Sequence, residues 1–288
     1  MSWPPGVRIA VSLVVHFEEG AERSPLEGDD TPEIGTYPIE PIGRVRDLGL
    51  ESIYEYGTRC GVWRLLDVLD KVNAKATFFC CGQAVERNPV AAREITARGH
   101  EACAHGYRWL PFHGLERERE KEEIRKAVDA ISRITGERPV GWNSRAPSPW
   151  TRELLIEEEF LYDSDSYDAD KPYFVEIGRN RFLTIPYAVD TNDEKFWPPP
   201  MTAGFTEPTD FFAILKRTFD QLYAEGATSP RMMSVGLHLR IAGRPARAGQ
   251  VVKFLDYAKR FSGVWLARRI DIARWWIQNA APQGQAGT

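Results

Sequence analysis

Short apolar runs alternate with helix-like segments along most of the chain. Residues 8–16 have the pattern of a buried strand, and residues 76–81, 100–104, 140–143, 162–164, 183–185 and 233–238 are further predicted strands. The spacing predicts helices over residues 61–72, 88–99, 116–135, 208–226 and 247–262, and a long loop over residues 24–50. This order predicts an α/β fold with a parallel sheet, a (β/α) barrel of seven or eight strands that can be irregular or incomplete.

Polar side chains interrupt the apolar pattern where the predicted strands end. In a (β/α) barrel the chemistry takes place at the carboxyl ends of the strands, so these residues are expected to share one cavity. They are His16, Glu18, Glu19, His105, Asn143, Arg145, Asp163, Asp165 and His238.

Length and charge limit the classes of partner. The chain has 288 residues and 43% apolar content, which fits a single domain over residues 1–279 followed by a flexible tail at 280–288. The net charge of −4 and the pI of about 5.9 favour neither nucleic acid nor an anionic membrane. Residues 9–15 are too short an apolar stretch to span a bilayer. The first residues lack a secretory pattern, which predicts a cytoplasmic location.

The pair Glu18–Glu19 follows the first strand directly. Two neighbouring carboxylates repel, so the pKa of one is expected to rise, which suits a general base near neutral pH. A solvated loop would explain the pair equally well from its residues alone.

Three histidines stand at predicted strand ends: His16, His105 and His238. Three imidazoles with an open fourth position suit zinc, and Glu19 is a further candidate ligand. The alternative is that the rings are hydrogen-bonding side chains in a polar pocket. The sequence thus allows either no cofactor or one divalent metal.

Other polar and aromatic residues complete the candidate site. Arg145 beside a carboxylate would orient it and lower its pKa, whereas Asp163 could equally cap a turn. Four aromatic residues could wall a closed pocket for a small planar ring, although core packing is the alternative. These are Trp109, Trp150, Tyr187 and Trp197.

Several motifs together resemble a known family. The matching stretches are residues 17–22, 51–57, 104–109, 135–139, 160–165, 185–187, 190–193, 236–238 and 243–247. Over residues 8–275 the chain resembles the polysaccharide deacetylase superfamily, and within it the branch of allantoinases and cyclic imide hydrolases.

Departures from the family pattern affect the expected metal site. Typical polysaccharide deacetylases carry an Asp-Asp pair where this chain has Glu18–Glu19, and their second metal histidine corresponds to Trp109. The allantoinase branch shows the same loss and is regarded as working without a metal, but His16 offers a nitrogen that this branch generally lacks. Residues 144–150 are closer to the deacetylase motif than to the allantoinase version.

The resemblance implies a hydrolase of carbon–nitrogen amide bonds that opens a small cyclic imide or ureide. Water would attack a ring carbonyl, with Glu18 or, preferably, Glu19 as the base. His105 would polarise the carbonyl oxygen, and His238 would protonate the departing nitrogen. Arg145 and Asp163 would hold the base and the acid in position.

Two other functions remain open at this stage. The chain could be a carbohydrate or peptidoglycan N-deacetylase, or a non-catalytic small-molecule-binding protein on the same scaffold. The resemblance to allantoinases also implies a homo-oligomer, by analogy alone.

Overall fold

The computed structural model describes residues 2–33, 43–196 and 206–279. Its strands are β1 (Ile9–Phe17), β2 (Thr77–Cys80), β3 (Glu101–Ala104), β4 (Gly141–Trp142), β5 (Tyr162–Asp163), β6 (Tyr173–Ile177), β7 (Asn180–Thr184), β8 (Arg231–His238) and β9 (Val264–Leu266). Its α-helices are α1 (Leu48–Tyr56), α2 (Val62–Lys71), α3 (Gly82–Arg87), α4 (Pro89–Ala97), α5 (Arg117–Thr135), α6 (Thr151–Glu157), α7 (Pro208–Glu225), α8 (Pro245–Ala258) and α9 (Arg269–Asn279). The predicted tail at 280–288 lies outside the described residues.

The strands form one sheet in the order β6-β7-β5-β4-β3-β2-β1-β8, with β9 paired to β1. Every pairing is parallel except the β6–β7 hairpin. Beyond β7, the Gly236 N–H of β8 donates to the Thr191 carbonyl, so a loop rather than a ladder of strands links the two ends of the sheet. The prediction of an α/β barrel fold, which could be irregular or incomplete, is confirmed.

Side-chain alternation along the strands places the histidines inside the barrel. In β1, Val11, Leu13 and Val15 pack in the outer core, whereas Ala10 and Val14 belong to the inner cluster. Successive side chains of a strand point to opposite faces, so His16 shares the inner face with Ala10 and Val14. The same alternation places His105 on the face of Cys103 and His238 on the face of Met232, and both of these reference residues belong to the inner cluster.

Several elements differ from the sequence prediction. Strands β6 and β9 and helices α1, α3, α6 and α9 were not predicted, and α1 continues into a π-helical turn at Gly57–Gly61. The predicted loop over residues 24–50 begins with a 3₁₀ turn at Pro25–Glu27 and runs into α1 at Leu48. Short elements have too few residues for their periodicity to be distinctive.

Within residues 2–33, 43–196 and 206–279, no helix is both long enough and apolar enough to cross a membrane.

Candidate active site

The two histidines on β1 and β8 are neighbours because the strands pair in register. His16 lies opposite His238 in the β1–β8 ladder. Their rings stack with centroids 4.2 Å apart and planes 6° from parallel. The ring of His105, just after β3, meets His16 edge-on at 5.3 Å. The parallel sheet thus brings three imidazoles from distant parts of the chain to one place.

One oxygen of Glu18 lies at the centre of these rings. Its Oε1 is 3.0 Å from His16 Nδ1, 3.3 Å from His105 Nε2 and 3.7 Å from His238 Nε2. Its Oε2 accepts a hydrogen bond of 2.9 Å from the guanidinium of Arg240. All five of these side chains are buried.

Burial and charge set the protonation of this cluster. Burial alone would raise the pKa of Glu18, but Arg240 and the surrounding histidines hold it well below its usual range. Burial, with the neighbouring His238, lowers the pKa of His16 to about 3. Burial likewise lowers the pKa of His238 to about 4, against the opposing effect of Glu18. At neutral pH the cluster therefore holds an ionised Glu18 facing neutral His16 and His238 rings.

Outer partners orient the rings of His105 and His238. His105 Nδ1 lies 2.9 Å from the carbonyl oxygen of Asn143, which can only accept, so Nδ1–H donates; in the tautomer with a single ring hydrogen the lone pair is then on Nε2. His238 Nδ1 lies 2.6 Å from Asp193 Oδ1, and the backbone N–H groups of His238 and Ala242 donate to Asp193 Oδ2. In both rings Nε2 consequently faces Glu18.

His16 is oriented through a tyrosine. Its Nε2 lies 3.0 Å from the hydroxyl of Tyr187, which also accepts a hydrogen bond from Asn192 Nδ2. The amide of Asn192 is fixed because its oxygen accepts from the Glu194 N–H. When His16 Nε2–H also donates to Tyr187, the tyrosine hydrogen is left to point into the cavity.

Glu18, His16 and His105 open onto a cavity of about 130 Å³, whereas His238 is fully buried outside its lining. The cavity is lined by His16, Glu18, His105, Trp109, Asn143, Ser144, Arg145, Tyr167, Tyr187, Val189, Asn192 and Glu194. Trp109 and Tyr187, predicted to bind substrate, both lie on its wall. Trp150, by contrast, lies outside the lining with a side chain 42% exposed, and Trp197 lies outside the described residues.

Glu19, the preferred base of the sequence prediction, faces a different space. Its Oε1 accepts from the backbone N–H of Arg240 at 3.1 Å and lies 3.3 Å from the Arg240 guanidinium. The carboxylate lines a separate cavity of about 240 Å³, together with Glu22, Glu51 and Glu55. Burial raises the pKa of Glu19 to about 7; Arg240 opposes this and Glu18 adds to it. Glu18, and not Glu19, is thus the carboxylate next to the histidines.

A metal could be held by part of this cluster. One ligand atom each from His16, Glu18 and His238 lies within 4.8 Å of the other two. His16 Nδ1 is buried and makes no hydrogen bond of acceptable geometry to a described residue. Two imidazoles and a carboxylate are a donor set that zinc and other first-row metals accept. The residues therefore fit a divalent cation, whereas Glu19 points away from this set.

The sequence pattern of the polysaccharide deacetylase family matches residues 50–153. A polysaccharide deacetylase homologue of Schizosaccharomyces pombe is 37% identical over 297 residues, covering 95% of this chain and 92% of the relative. The chain belongs to the polysaccharide deacetylase family. This membership confirms the resemblance and the predicted enzyme class, a hydrolase of carbon–nitrogen amide bonds.

Two solved structures of the polysaccharide deacetylase fold superimpose closely on this chain. A polysaccharide deacetylase homologue from Pseudomonas aeruginosa PAO1 has 44% identity and a TM-score of 0.92, over 98% of this chain and 95% of that one. PuuE allantoinase has 43% identity and a TM-score of 0.92, over 96% of this chain and 93% of that one.

The expected positioning roles of Arg145 and Asp163 need correction. Arg145 contacts neither Glu18 nor Glu19; it forms a bidentate pair with Glu33 and stacks over Trp109 at 4.0 Å. Its side chain leaves β4 toward the loop that carries Glu33.

Asp163 pairs with Arg152 at 2.8 Å and is buried away from the cavity lining. Other residues make the contacts that were expected of Arg145 and Asp163. Arg240 contacts the carboxylates of Glu18 and Glu19, and Asp193 contacts the ring of His238.

Three residues of this site were not predicted from the sequence as functional. Arg240 follows β8 by two residues, and Asp193 and Glu194 begin the 3₁₀ turn Asp193–Phe196. Glu194 Oε1 lies 3.5 Å from His238 Nε2 on the cavity wall. A signal existed, because residues 190–193 and 236–238 match the family, but only the fold shows which side chains meet.

Proposed function

We propose that this member of the polysaccharide deacetylase family opens the ring of a small cyclic imide or ureide. The observation that carries the proposal is an ionised carboxylate, Glu18, that lies beside three imidazoles and, with two of them, lines a small cavity. The similarity to PuuE allantoinase over nearly the whole chain supports the same substrate class.

The size of the cavity favours a small substrate. Sites for drug-sized ligands usually measure about 300–1,000 Å³. A cavity of about 130 Å³ suits a single five- or six-membered ring. Its wall offers the aromatic faces of Trp109 and Tyr187 and the polar groups of Asn143 and Asn192. A sugar polymer needs an open groove along which several rings can lie.

His105 is best placed to move the proton. Its Nε2 lone pair faces the cavity, because Nδ1–H is held by the Asn143 carbonyl. In the proposed reaction, Nε2 takes a proton from water while the water oxygen bonds to the ring carbonyl carbon. Glu18 Oε1, 3.3 Å away, stabilises the imidazolium that forms. The carbon–nitrogen bond then breaks, and the proton passes from His105 to the departing nitrogen.

Tyr187 is placed to stabilise the carbonyl oxygen. Its hydroxyl oxygen accepts from Asn192 and lies 3.0 Å from His16 Nε2; in the tautomer in which His16 Nε2–H donates to it, the tyrosine hydrogen is available for substrate. A donor fixed in advance toward developing negative charge lowers the barrier most in a site that excludes water. An imide nitrogen also leaves more readily than an amide nitrogen, because its anion is shared with a second carbonyl.

A divalent metal would be held by His16, Glu18 and His238, and it would supply a Lewis acid that polarises water or the carbonyl group. The proton transfer assigned to His105 uses none of these three side chains as the proton carrier.

A substrate panel tests the proposal. Purified protein is incubated with allantoin, hydantoin, succinimide and phthalimide, and separately with N-acetylglucosamine oligomers. Ring opening of at least one cyclic compound without acetate release is expected, with the activity lost in His105→Gln and kept in His113→Gln, which changes an exposed loop histidine. Acetate release with intact rings would overturn the proposal.

An N-deacetylase is the second candidate. The family supports it, as does the resemblance of residues 144–150 to the deacetylase motif. Acetate release in the same panel would establish it. Assembly into a homo-oligomer and a cytoplasmic location stay predictions; light scattering after size exclusion measures the first.

A further inference from the structure

Arg240 also lines a second cavity, of about 420 Å³, which shares no lining residue with the cavity of the proposed reaction. Two further arginines on its wall, Arg244 and Arg247, come from the start of α8. Ile53 of α1 and Pro208 of α7 are among the uncharged residues of the wall, and none of the described lining residues is acidic. The wall is therefore positively charged in a chain whose net charge is −4.

The charges of Arg244 and Arg247 are not neutralised within the described part of the chain. Arg240 pairs with Glu18 at 2.9 Å, whereas neither Arg244 nor Arg247 forms an ion pair with a described carboxylate. Arg244 donates only to a backbone oxygen, the carbonyl of Arg240 at 3.4 Å. Burial lowers the pKa of Arg247; the charge of Asp193 opposes this, and that of Arg244 adds to it. Because buried charges are usually paired, an anion in the cavity would stabilise both cations.

Aromatic rings hold the two guanidinium groups by their faces. Arg244 lies over the ring of Tyr56 at 3.5 Å from the centroid, and Arg247 lies over the ring of Phe196 at 4.2 Å. The Tyr56 ring is itself fixed, since its hydroxyl accepts a hydrogen bond of 2.7 Å from Arg64. A guanidinium that stacks by its face keeps the N–H groups along its edge for hydrogen bonds. The two side chains are thus fixed in a form that suits an oxyanion.

The N-terminus of α8 adds to the positive charge. Ala246, in the first turn of this helix, lies on the cavity wall. Arg244 is the N-cap and Pro245 follows it, and no side chain caps the backbone N–H groups of the first turn. The helix has 14 residues, so this end carries the positive pole of a helix dipole. Anions bind at such ends through the backbone N–H groups.

We propose that this cavity binds a small organic anion whose carboxylate or phosphate group lies between Arg244 and Arg247. Both head groups offer paired oxygens that match the edge of a guanidinium. The volume of about 420 Å³ lies in the range of about 300–1,000 Å³ that is usual for small-molecule sites, so an organic body fits beside the head group. Ile53 and Phe196 would contact that body. The site goes beyond the proposed function and does not depend on which ring, if any, is hydrolysed.

Matched aromatic probes test this inference. Benzoate, phenyl phosphate and neutral benzyl alcohol share one ring and differ in the head group. Each is titrated into the full chain by isothermal titration calorimetry, at constant ionic strength and in a buffer without carboxylate or phosphate. At least one of the two anions should bind with one molecule per chain and about 10-fold or more tighter than benzyl alcohol, and the tighter anion identifies the preferred head group. Binding of neither anion, or equal binding of benzyl alcohol, would overturn the inference.

Substitutions at the two arginines locate the anion. Arg244→Gln and Arg247→Gln each remove charge-assisted hydrogen bonds and should weaken binding about 10-fold or more. Both side chains are partly exposed, so both variants should fold, which circular dichroism checks. Arg274→Gln, at an exposed position of α9, is the matched control and keeps full affinity, as does His105→Gln in the other cavity. Unchanged affinity in both folded arginine variants, or lost affinity in His105→Gln, would place the anion elsewhere and overturn the assignment.

Discussion

Two pairs of carboxylates that are close in sequence stand at strand ends, Glu18 and Glu19 after β1 and Asp163 and Asp165 at the end of β5, and they share one electrostatic arrangement. After β1, Glu18 pairs with Arg240, while burial raises the pKa of Glu19 to about 7. After β5, Asp163 pairs with Arg152; burial, together with the charge of Asp163, raises the pKa of Asp165 to about 8. In each pair one carboxylate forms the shorter ion pair with an arginine, and the pKa of the other carboxylate is raised.

The two pairs of carboxylates differ in the groups that surround them. Glu18 contacts three imidazoles on the cavity wall. Asp165 instead accepts hydrogen bonds from Asn143 Nδ2 and from the backbone and hydroxyl of Ser144, and so shapes the loop after β4. A raised or lowered carboxylate pKa is thus no sufficient sign of catalysis, and the neighbouring histidines make the difference.

The largest expected effect separates Glu18 from Glu19. Glu18→Gln removes the charge that stabilises the His105 imidazolium and should lower kcat/KM about 1,000-fold or more. Glu19→Gln should lower it less than 10-fold, because Glu19 faces another cavity. Steady-state kinetics on the substrate identified by the panel measures both. Equal losses would show that the two acids act together.

Removing the arginines should affect stability unequally. Arg240→Met leaves Glu18 buried without its cation and should lower the free energy of unfolding by about 3–5 kcal/mol. Arg152→Met removes a partly exposed cation from the buried carboxylate of Asp163 and should cost about 1–3 kcal/mol. Urea unfolding followed by fluorescence compares them. A smaller loss at Arg240 would contradict its assigned role.

A substitution at Gly57 should disturb Glu19 and leave Glu18 in place. A Cβ at this position would lie 2.6 Å from Glu19 Oε1, so Gly57→Ala must displace that carboxylate. We expect a destabilisation of about 1–3 kcal/mol with kcat/KM within a few-fold of the wild type. Gly249→Ala, whose Cβ would meet no atom within 4 Å, is the matched control in α8. A large loss of activity in Gly57→Ala would reassign Glu19 to the reaction.

The smallest effect concerns pH and the second pair. The pKa of Asp165 is about 8 in the folded state and ordinarily 3.8. Between these two pH values the folded state therefore binds a proton that the unfolded state has lost. Stability therefore falls as pH rises through this window, by less than about 1.4 kcal/mol per pH unit for one group. Melting temperatures between pH 5 and 8 should fall less steeply in Asp165→Asn than in the wild type. Asp168→Asn, at an exposed position, should keep the wild-type slope.

The sequence by itself determined the scaffold and much of the residue set. Period-two alternation in β1 and β8 places His16 and His238 on the inner face, and parallel strands bring their carboxyl ends together. The motifs also predicted the family and the class of reaction. These features are local in the chain or repeat along it, so a linear pattern records them.

Tertiary structure alone decided the partners of the charged groups. Glu18 and Glu19 are adjacent in sequence, yet they face different cavities because consecutive residues leave the strand end in different directions. Arg240, rather than Arg145, meets them, and Asp193, rather than Asp163, holds His238. These contacts cannot be read from a linear pattern. Each joins residues that are 45 or more positions apart, and each depends on the paths of the loops that carry them.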